Sequence, residues 1–420
     1  MSAILRLALR SLRARALTAS LAVLSIALSA ALLLSVERLR DAARASFAAA
    51  ISDTDVVIGA RGGGVQLMLY SVFRIGSATN NFTWESYQEV LEHPSVEWAV
   101  PLSLGDSHRG YRVLGTSVEY FERLKYRRGR SLDFASGRRF EDLYDAVLGA
   151  EVAEQLGYAI GDEIIVAHGI GDAGFSLHDD KPFTVSGVLE RTGTPVDKTV
   201  HVSLEAIEAI HVDWRSGAPI PGVTITAEQT RQLDLTPQAI TAALVGLDSK
   251  LAVFRFQRFV NEYREEPLSA VLPGLALQEL WSVLGVAETA LAGVSALVVL
   301  AALIGMATML FASLQARRRE MAILRSVGAR PTTIFGLLMA EAAAIALAGA
   351  LLGLGLHLAA ATLGGPWVDR VYGIDLSLAP LDLSLSALLL GVAAMGAVIG
   401  AAPALQAYKM SVSDGVGLRL

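Results

Sequence analysis

Between residues 168 and 213 the sequence gathers His168, His178, Asp179, Asp180, His201, His211 and Asp213, the imidazoles and carboxylates from which a metal site could be built. Their spacing matches no zinc pattern, and His178-Asp179-Asp180 falls in a glycine-rich hairpin tip, where polar side chains are expected to be solvated. The sequence therefore predicts no metal ion, and His178, His201 and His211 are the residues that would ligate one if it were present. The chain has no cysteine, no G-x-S-x-G elbow and no H-E-x-x-H, so acyl transfer, thiol and metalloprotease chemistry lack their residues. No G-x-x-x-x-G-K-[ST] occurs either. The cluster Gly59-Ala-Arg-Gly-Gly-Gly64 lacks the lysine and the following helix that a phosphate cradle requires, and reads as a flexible turn.

A different chemistry is available in Gln315-Ala-Arg-Arg-Arg-Glu-Met-Ala-Ile-Leu-Arg-Ser-Val-Gly-Ala-Arg330. Met321, Ile323, Leu324 and Val327 fall mostly at helical spacing, while Arg317, Arg318, Arg319, Glu320 and Arg325 stay in water. Gly328 is placed to end the helix and Pro331 to open the next element. A basic face around an apolar anchor recognises an acidic groove on a protein and catalyses nothing by itself.

The elements that hold these residues are mostly apolar. The 420 residues are 53% hydrophobic and 18% charged, with net charge −6, a balance that suits a membrane protein and not a nucleic-acid binder. Four segments can cross about 30 Å of hydrocarbon at about 1.5 Å per residue. The expected division is a basic cytoplasmic arm at 1–15, spans at 16–38, 283–312, 334–363 and 383–405, an exported domain at 40–280, a cytoplasmic helix at 314–332, a short exported loop at 364–382, and a tail at 406–420. The first apolar run is too long for a signal peptide and lacks a small-x-small cleavage site, so it reads as an uncleaved anchor. Arginines in the arm, the 315–330 segment and the tail place both termini in the cytoplasm by the positive-inside bias. Glu341 and His357, inside the third span, are costly in lipid and are expected to face a helix partner. Small residues in Gly349-Ala-Leu-Leu-Gly-Leu-Gly355 and Gly391-Val-Ala-Ala-Met-Gly396 permit close helix packing or dimerisation.

The exported stretch, about 240 residues and free of disulfides, is long enough to build its own core. Short β-branched runs predict strands at 56–58, 97–101, 111–115, 163–167, 183–190, 198–203, 222–226 and 253–256. Helices are predicted at 84–91, 118–124, 149–156, 204–210 and 237–247, with Thr83, Ser117, Ser203 and Thr236 as caps. The expectation is an α+β domain of two small lobes.

The order of parts resembles the MacB/FtsX-like permease family, the membrane subunits of type VII ABC transporters. Arg318-Arg-Glu-Met-Ala-Ile-Leu-Arg-Ser-Val-Gly-Ala329, running into Ile334, Phe335 and Glu341, is similar to that family's coupling segment. Val147 to Val166 and Phe183 to Ser203 are similar to its periplasmic core domain, and the tail from Pro403 to Asp414 to its ending. The resemblance implies four transmembrane helices with a porter-like lobe and a second α+β lobe, in a bacterial inner membrane. It implies a homodimer or pseudo-symmetric pair bound to two cytoplasmic ABC ATPases. Those subunits bind ATP and magnesium, so no cofactor is expected in this chain. It further implies mechanotransmission to the exported lobes, with a periplasmic adaptor or substrate-binding protein as a partner. The alternatives are a regulatory scaffold activating a partner such as a cell-wall hydrolase, and a metal-related transporter.

Overall fold

The computed structural model describes residues 15–127, 129–169, 178–215, 218–220, 225–316, 318–372, 374, 376 and 383–409. The expected arm at 1–14, Arg317, most of the strand at 222–226, much of the 364–382 loop and the tail from 410 lie outside these residues. The chain forms two compact units, Met1–Ala43 with Gly285–Leu420, and Arg44–Leu284.

Among the described residues, four helices are long and apolar enough to cross a membrane: Ala16–Ala49, Pro273–Ala316, Pro331–Tyr372 and Leu383–Lys409. They run past the apolar stretches. The first continues through Glu37 and Arg40, which form an ion pair one turn apart, so polar residues keep it helical to Ala49 rather than to 38. The third continues to Tyr372 through Gly364, Gly365 and Pro366, where a loop from 364 was expected; Pro366 removes only one backbone donor from the helix.

Within the membrane unit, Ile26, Leu303, Met306, Ile345 and Ala346 form the buried core. Its glycines are used inside the chain. A Cβ on Gly349 would lie 2.7 Å from Ile26, and one on Gly353 would lie 2.7 Å from the Ala27 carbonyl oxygen, so the third helix approaches the first at backbone distance. Gly396 and Gly400 meet Ala346 and Ala342 in the same way, joining the fourth helix to the third.

The unit Arg44–Leu284 is built on one mixed sheet. Its strands are β1 Val56–Ala60, β2 Val96–His108, β3 Tyr111–Thr116, β4 Phe134–Gly137, β5 Asp145–Leu148, β6 Glu163–Ile164, β7 Ala167–His168, β8 Phe183–Leu189, β9 Thr199–Ser203, β10 Ala242–Leu247 and β11 Leu268–Val271. The order is β11-β1-β10-β2-β3-β9-β5-β8-β4, with β7 paired to β2 and β6 to β8. Alternation along each strand divides the apolar side chains between faces. Val57, Leu102, Leu114, Val147 and Leu244 join one cluster, while Val56, Ile58 and Val245 join a second and Val113, Ala146, Val200 and Val202 a third. All three clusters are thus strung on a single sheet.

Several local expectations are corrected. Residues 237–247 form no helix: Ala239–Ile240 pairs with Phe82–Thr83, and β10 lies between β1 and β2, buried at all its positions. A strand covered on both faces reads as a continuous apolar run and loses its alternation. Thr236 accordingly caps nothing and bonds Asp234. Conversely, residues 253–256 open the helix Val253–Asn261, because Val253, Phe256 and Val260 share one buried helical face. Gly64 begins the helix Gly64–Ser71, so a helix does follow the glycine cluster, although no lysine accompanies it. Thr83 and Ser203 cap their helices through Ser86 N and Ala206 N, whereas Ser117 does not cap.

Candidate functional site

The basic segment forms the helix Arg318–Ser326. Its apolar residues divide by what they touch. Met321 is buried with Leu314, Ile334, Leu338, Ala404 and Ala407, and half-buried Leu324 packs at the edge of that cluster. Ile323 is 56% exposed and Val327 82% exposed. Glu320 is exposed and Arg325 half-buried. The helix stops at Gly328, whose φ of +102° is left-handed and free of cost for glycine alone. There the Gly328 N–H donates to the Arg325 carbonyl at 3.0 Å, and the Ala329 N–H to the Leu324 carbonyl at 3.0 Å, the paired bonds of a glycine-terminated helix. Pro331 then begins the third long helix.

Both polar residues named in the third helix meet the first. Arg15 Nη2 donates to Glu341 Oε1 at 2.6 Å, with the Glu341 side chain 1% exposed. Ser35 Oγ lies 3.0 Å from His357 Nδ1. The sequence marks Glu341 and His357 by their cost in lipid, but nothing in it identifies partners more than three hundred positions away.

The histidines are rearranged relative to the expectation. His201 sits on β9, facing away from Val200 and Val202, among Tyr120 and Phe121, and Nδ1 lies 3.2 Å from the Val147 carbonyl oxygen. It joins no other histidine. His178 is not a solvated hairpin residue: its side chain is fully buried, because its ring lies tilted against Trp214 at 4.3 Å and edge-on to His211 at 4.9 Å between ring centres. His168 and Asp106 complete the group. They are direct partners in the β7–β2 pairing, and the ligating atoms of all four residues lie within 4.8 Å of one another.

Electrostatics follow the geometry. Burial pushes the His178 imidazole down to about 4, with nearby His211 acting the same way, whereas the hydrogen bond to Asp106 raises His168. Lys181, wholly buried, bonds Asp180 at 2.7 Å and both Asp213 oxygens at 3.1 Å, tying the 178–181 turn to the residue before Trp214. Asp179 follows in the same turn and is exposed. Asp106 carries no signal in the linear sequence; only the strand pairing reveals it.

Comparison with known proteins places both halves of the chain. Residues 16–243 match the MacB-like periplasmic core domain family, and residues 292–412 match the FtsX-like permease C-terminal family. The periplasmic region of MacB from Actinobacillus actinomycetemcomitans is 11% identical, covering 55% of this chain and 94% of that one at a TM-score of 0.33. The extracellular domain of the noncanonic ABC-type transporter YknZ from Gram-positive bacteria is 14% identical, covering 52% and 99% at a TM-score of 0.31. No curated protein gives a significant match.

Proposed function

This chain belongs to the MacB/FtsX-like family of ABC permeases and is a multi-pass membrane protein, and from that premise we propose that it couples a separate cytoplasmic ATPase to motion of its exported domain. In this reading it has no catalytic activity of its own and works in a bacterial inner membrane as a dimer, with both termini in the cytoplasm. ATP and magnesium bind the partner subunit. The observation that carries the reading is the helix Arg318–Ser326, which lies between the second and third long helices and, with Val327 just past its end, exposes Ile323 and Val327 while Met321 is held inside. An apolar pair open to water beside arginines suits a docking contact, and the buried methionine gives that contact a firm base.

A push on the short helix has a covalent route outward. The helix Pro273–Ala316 ends just before it and begins with a single residue, Leu272, separating it from β11, the strand that pairs with β1. The large exported unit, Arg44–Leu284, favours export or extraction of an envelope substrate over a purely regulatory role.

The test is co-expression with a candidate cytoplasmic ABC ATPase subunit from the same genome. Leu324→Asp, Val327→Asp and Gly328→Pro are expected to insert normally but to lose ATPase capture and stimulation. Proline at 328 can neither adopt the positive φ nor donate to Arg325. Wild-type stimulation by all three variants would remove the docking role.

A further inference from the structure

We propose that Asp106, His168, His178 and His211 form a binding site for one zinc-class divalent ion in the exported unit. The distances are those of a coordination shell. Asp106 Oδ1 to His168 Nδ1 and His168 Nδ1 to His211 Nε2 are both 3.2 Å, and His211 Nε2 to Asp106 Oδ1 is 3.7 Å. Tetrahedral bonds of about 2.0–2.2 Å separate ligand atoms by about 3.3–3.5 Å, so these three atoms outline one face of a tetrahedron. His178 supplies the fourth vertex, with a closure on the order of 1 Å from the present 4.8 Å limit.

Orientation is set before any ion arrives. His211 Nδ1 lies 2.7 Å from the Ile207 carbonyl oxygen, which can only accept, so the neutral ring carries its proton there and turns the Nε2 lone pair towards Asp106 and His168. Asp106, 3% exposed, is fixed opposite His168 by the strand register.

His178 provides an independent observation. Its side chain is fully buried, and neither Nδ1 nor Nε2 has a hydrogen-bond partner among the described residues. A neutral imidazole always has one donor and one acceptor, and leaving both unmet in the interior is unfavourable. Hydrogen bonding within the cluster accounts for His168, whose Nδ1 can donate to Asp106 or His211 until an ion displaces that proton, but it does not reach His178. A cation does. Three imidazole nitrogens with one carboxylate select a borderline transition ion over calcium or magnesium, which prefer all-oxygen shells.

The site reports on itself, because Trp214 lies 4.3 Å from His178, 5.7 Å from His168 and 5.9 Å from His211 between ring centres. The full chain, without a polyhistidine tag, is purified in detergent, stripped with chelator and titrated with Zn²⁺. Tryptophan emission and metal content after gel filtration are read together, with Co²⁺ as a spectroscopic stand-in. One Zn²⁺ per chain is expected, with a raised Tm and an intense tetrahedral Co²⁺ band. His178→Ala and His211→Ala should each weaken binding at least about 100-fold, beyond the loss expected for an outer partner, whereas His93→Ala, at a ring packed against Phe256 and Phe259 outside the cluster, should leave it unchanged. Asp106→Asn, nearly the same shape, serves where a histidine variant fails to fold. Unchanged zinc binding in the variants, or no saturation of the wild type below about 10 µM, far weaker than protein zinc sites, overturns the site. Neither result bears on ATPase coupling, which is read separately.

Discussion

Arg15 and Glu341 stand 326 positions apart in the chain, yet their side chains meet at 2.6 Å, pinning the start of the first long helix to the third. Removing one member of a buried ion pair strands the other charge, at about 3–5 kcal/mol, while replacing both with apolar residues of similar volume is often neutral. Arg15 is 22% exposed, so the lower end of that range applies. Glu341→Met should therefore destabilise the detergent-solubilised chain by about 3 kcal/mol, and Arg15→Met combined with Glu341→Met should recover most of it. A thermal double-mutant cycle measures this; additive losses would mean the pair is not coupled.

The short helix offers two substitutions of similar chemistry with opposite signatures. Met321→Ala opens a cavity against Leu338 and Ala404 and should cost about 2–3 kcal/mol. Val327→Ala, at an exposed position, should leave stability within about 0.5 kcal/mol. If Val327 touches the ATPase, the same change weakens capture about tenfold or more. Differential scanning fluorimetry beside quantitative pull-down separates the two, and equal effects on both readouts for both variants would undo the division.

The third helix contains an internal control. A side chain at Gly353 collides with Ala27 and Ala30 at 2.7 and 2.8 Å, whereas Gly355 has nothing within 4 Å. Gly353→Leu should force the first and third helices apart and destabilise by about 2 kcal/mol or more, while Gly355→Leu should be nearly silent. Comparable melting temperatures for the two variants would contradict the close approach.

What the sequence made legible was chemistry confined to a few neighbouring residues. Gly328 and Pro331 mark a helix end and a helix start because capping is local, and Glu341 stands out because an ionised group in an apolar run always needs a partner. Arg15 could not be named as that partner, since the pairing exists only once the helices pack. The 237–247 segment was misread for a related reason: its burial on both faces comes from β1 and β2, distant in sequence, and erases the alternation that identifies a strand. His178 shows the same limit. Beside Asp179 and Asp180 it looks solvated, and only Trp214 and His211, brought over it by the fold, make it one of the most buried polar residues.

His201 makes stability depend on acid. Its ring is fully buried beside Tyr120 and Phe121, and burial, aided by the Arg74 charge and opposed only by the Val147 carbonyl, pushes its pKa down to about 3. Arg74 in turn bonds the Tyr120 hydroxyl at 3.5 Å, and among the described residues no carboxylate contributes to the His201 shift. In the unfolded chain the same group titrates near the ordinary value of about 6.5. Between those two values the unfolded state holds a proton that the folded state does not, so stability rises with pH through this window. The contribution is complete above about pH 6.5 and is lost as pH falls towards about 3, by up to a few kcal/mol. His201→Phe fills the aromatic pocket without a titrating nitrogen. Melts of the full chain, with chelator present, should fall less steeply between pH 7 and pH 4.5 for this variant than for the wild type. Parallel slopes would show that His201 is not the group whose protonation opposes folding.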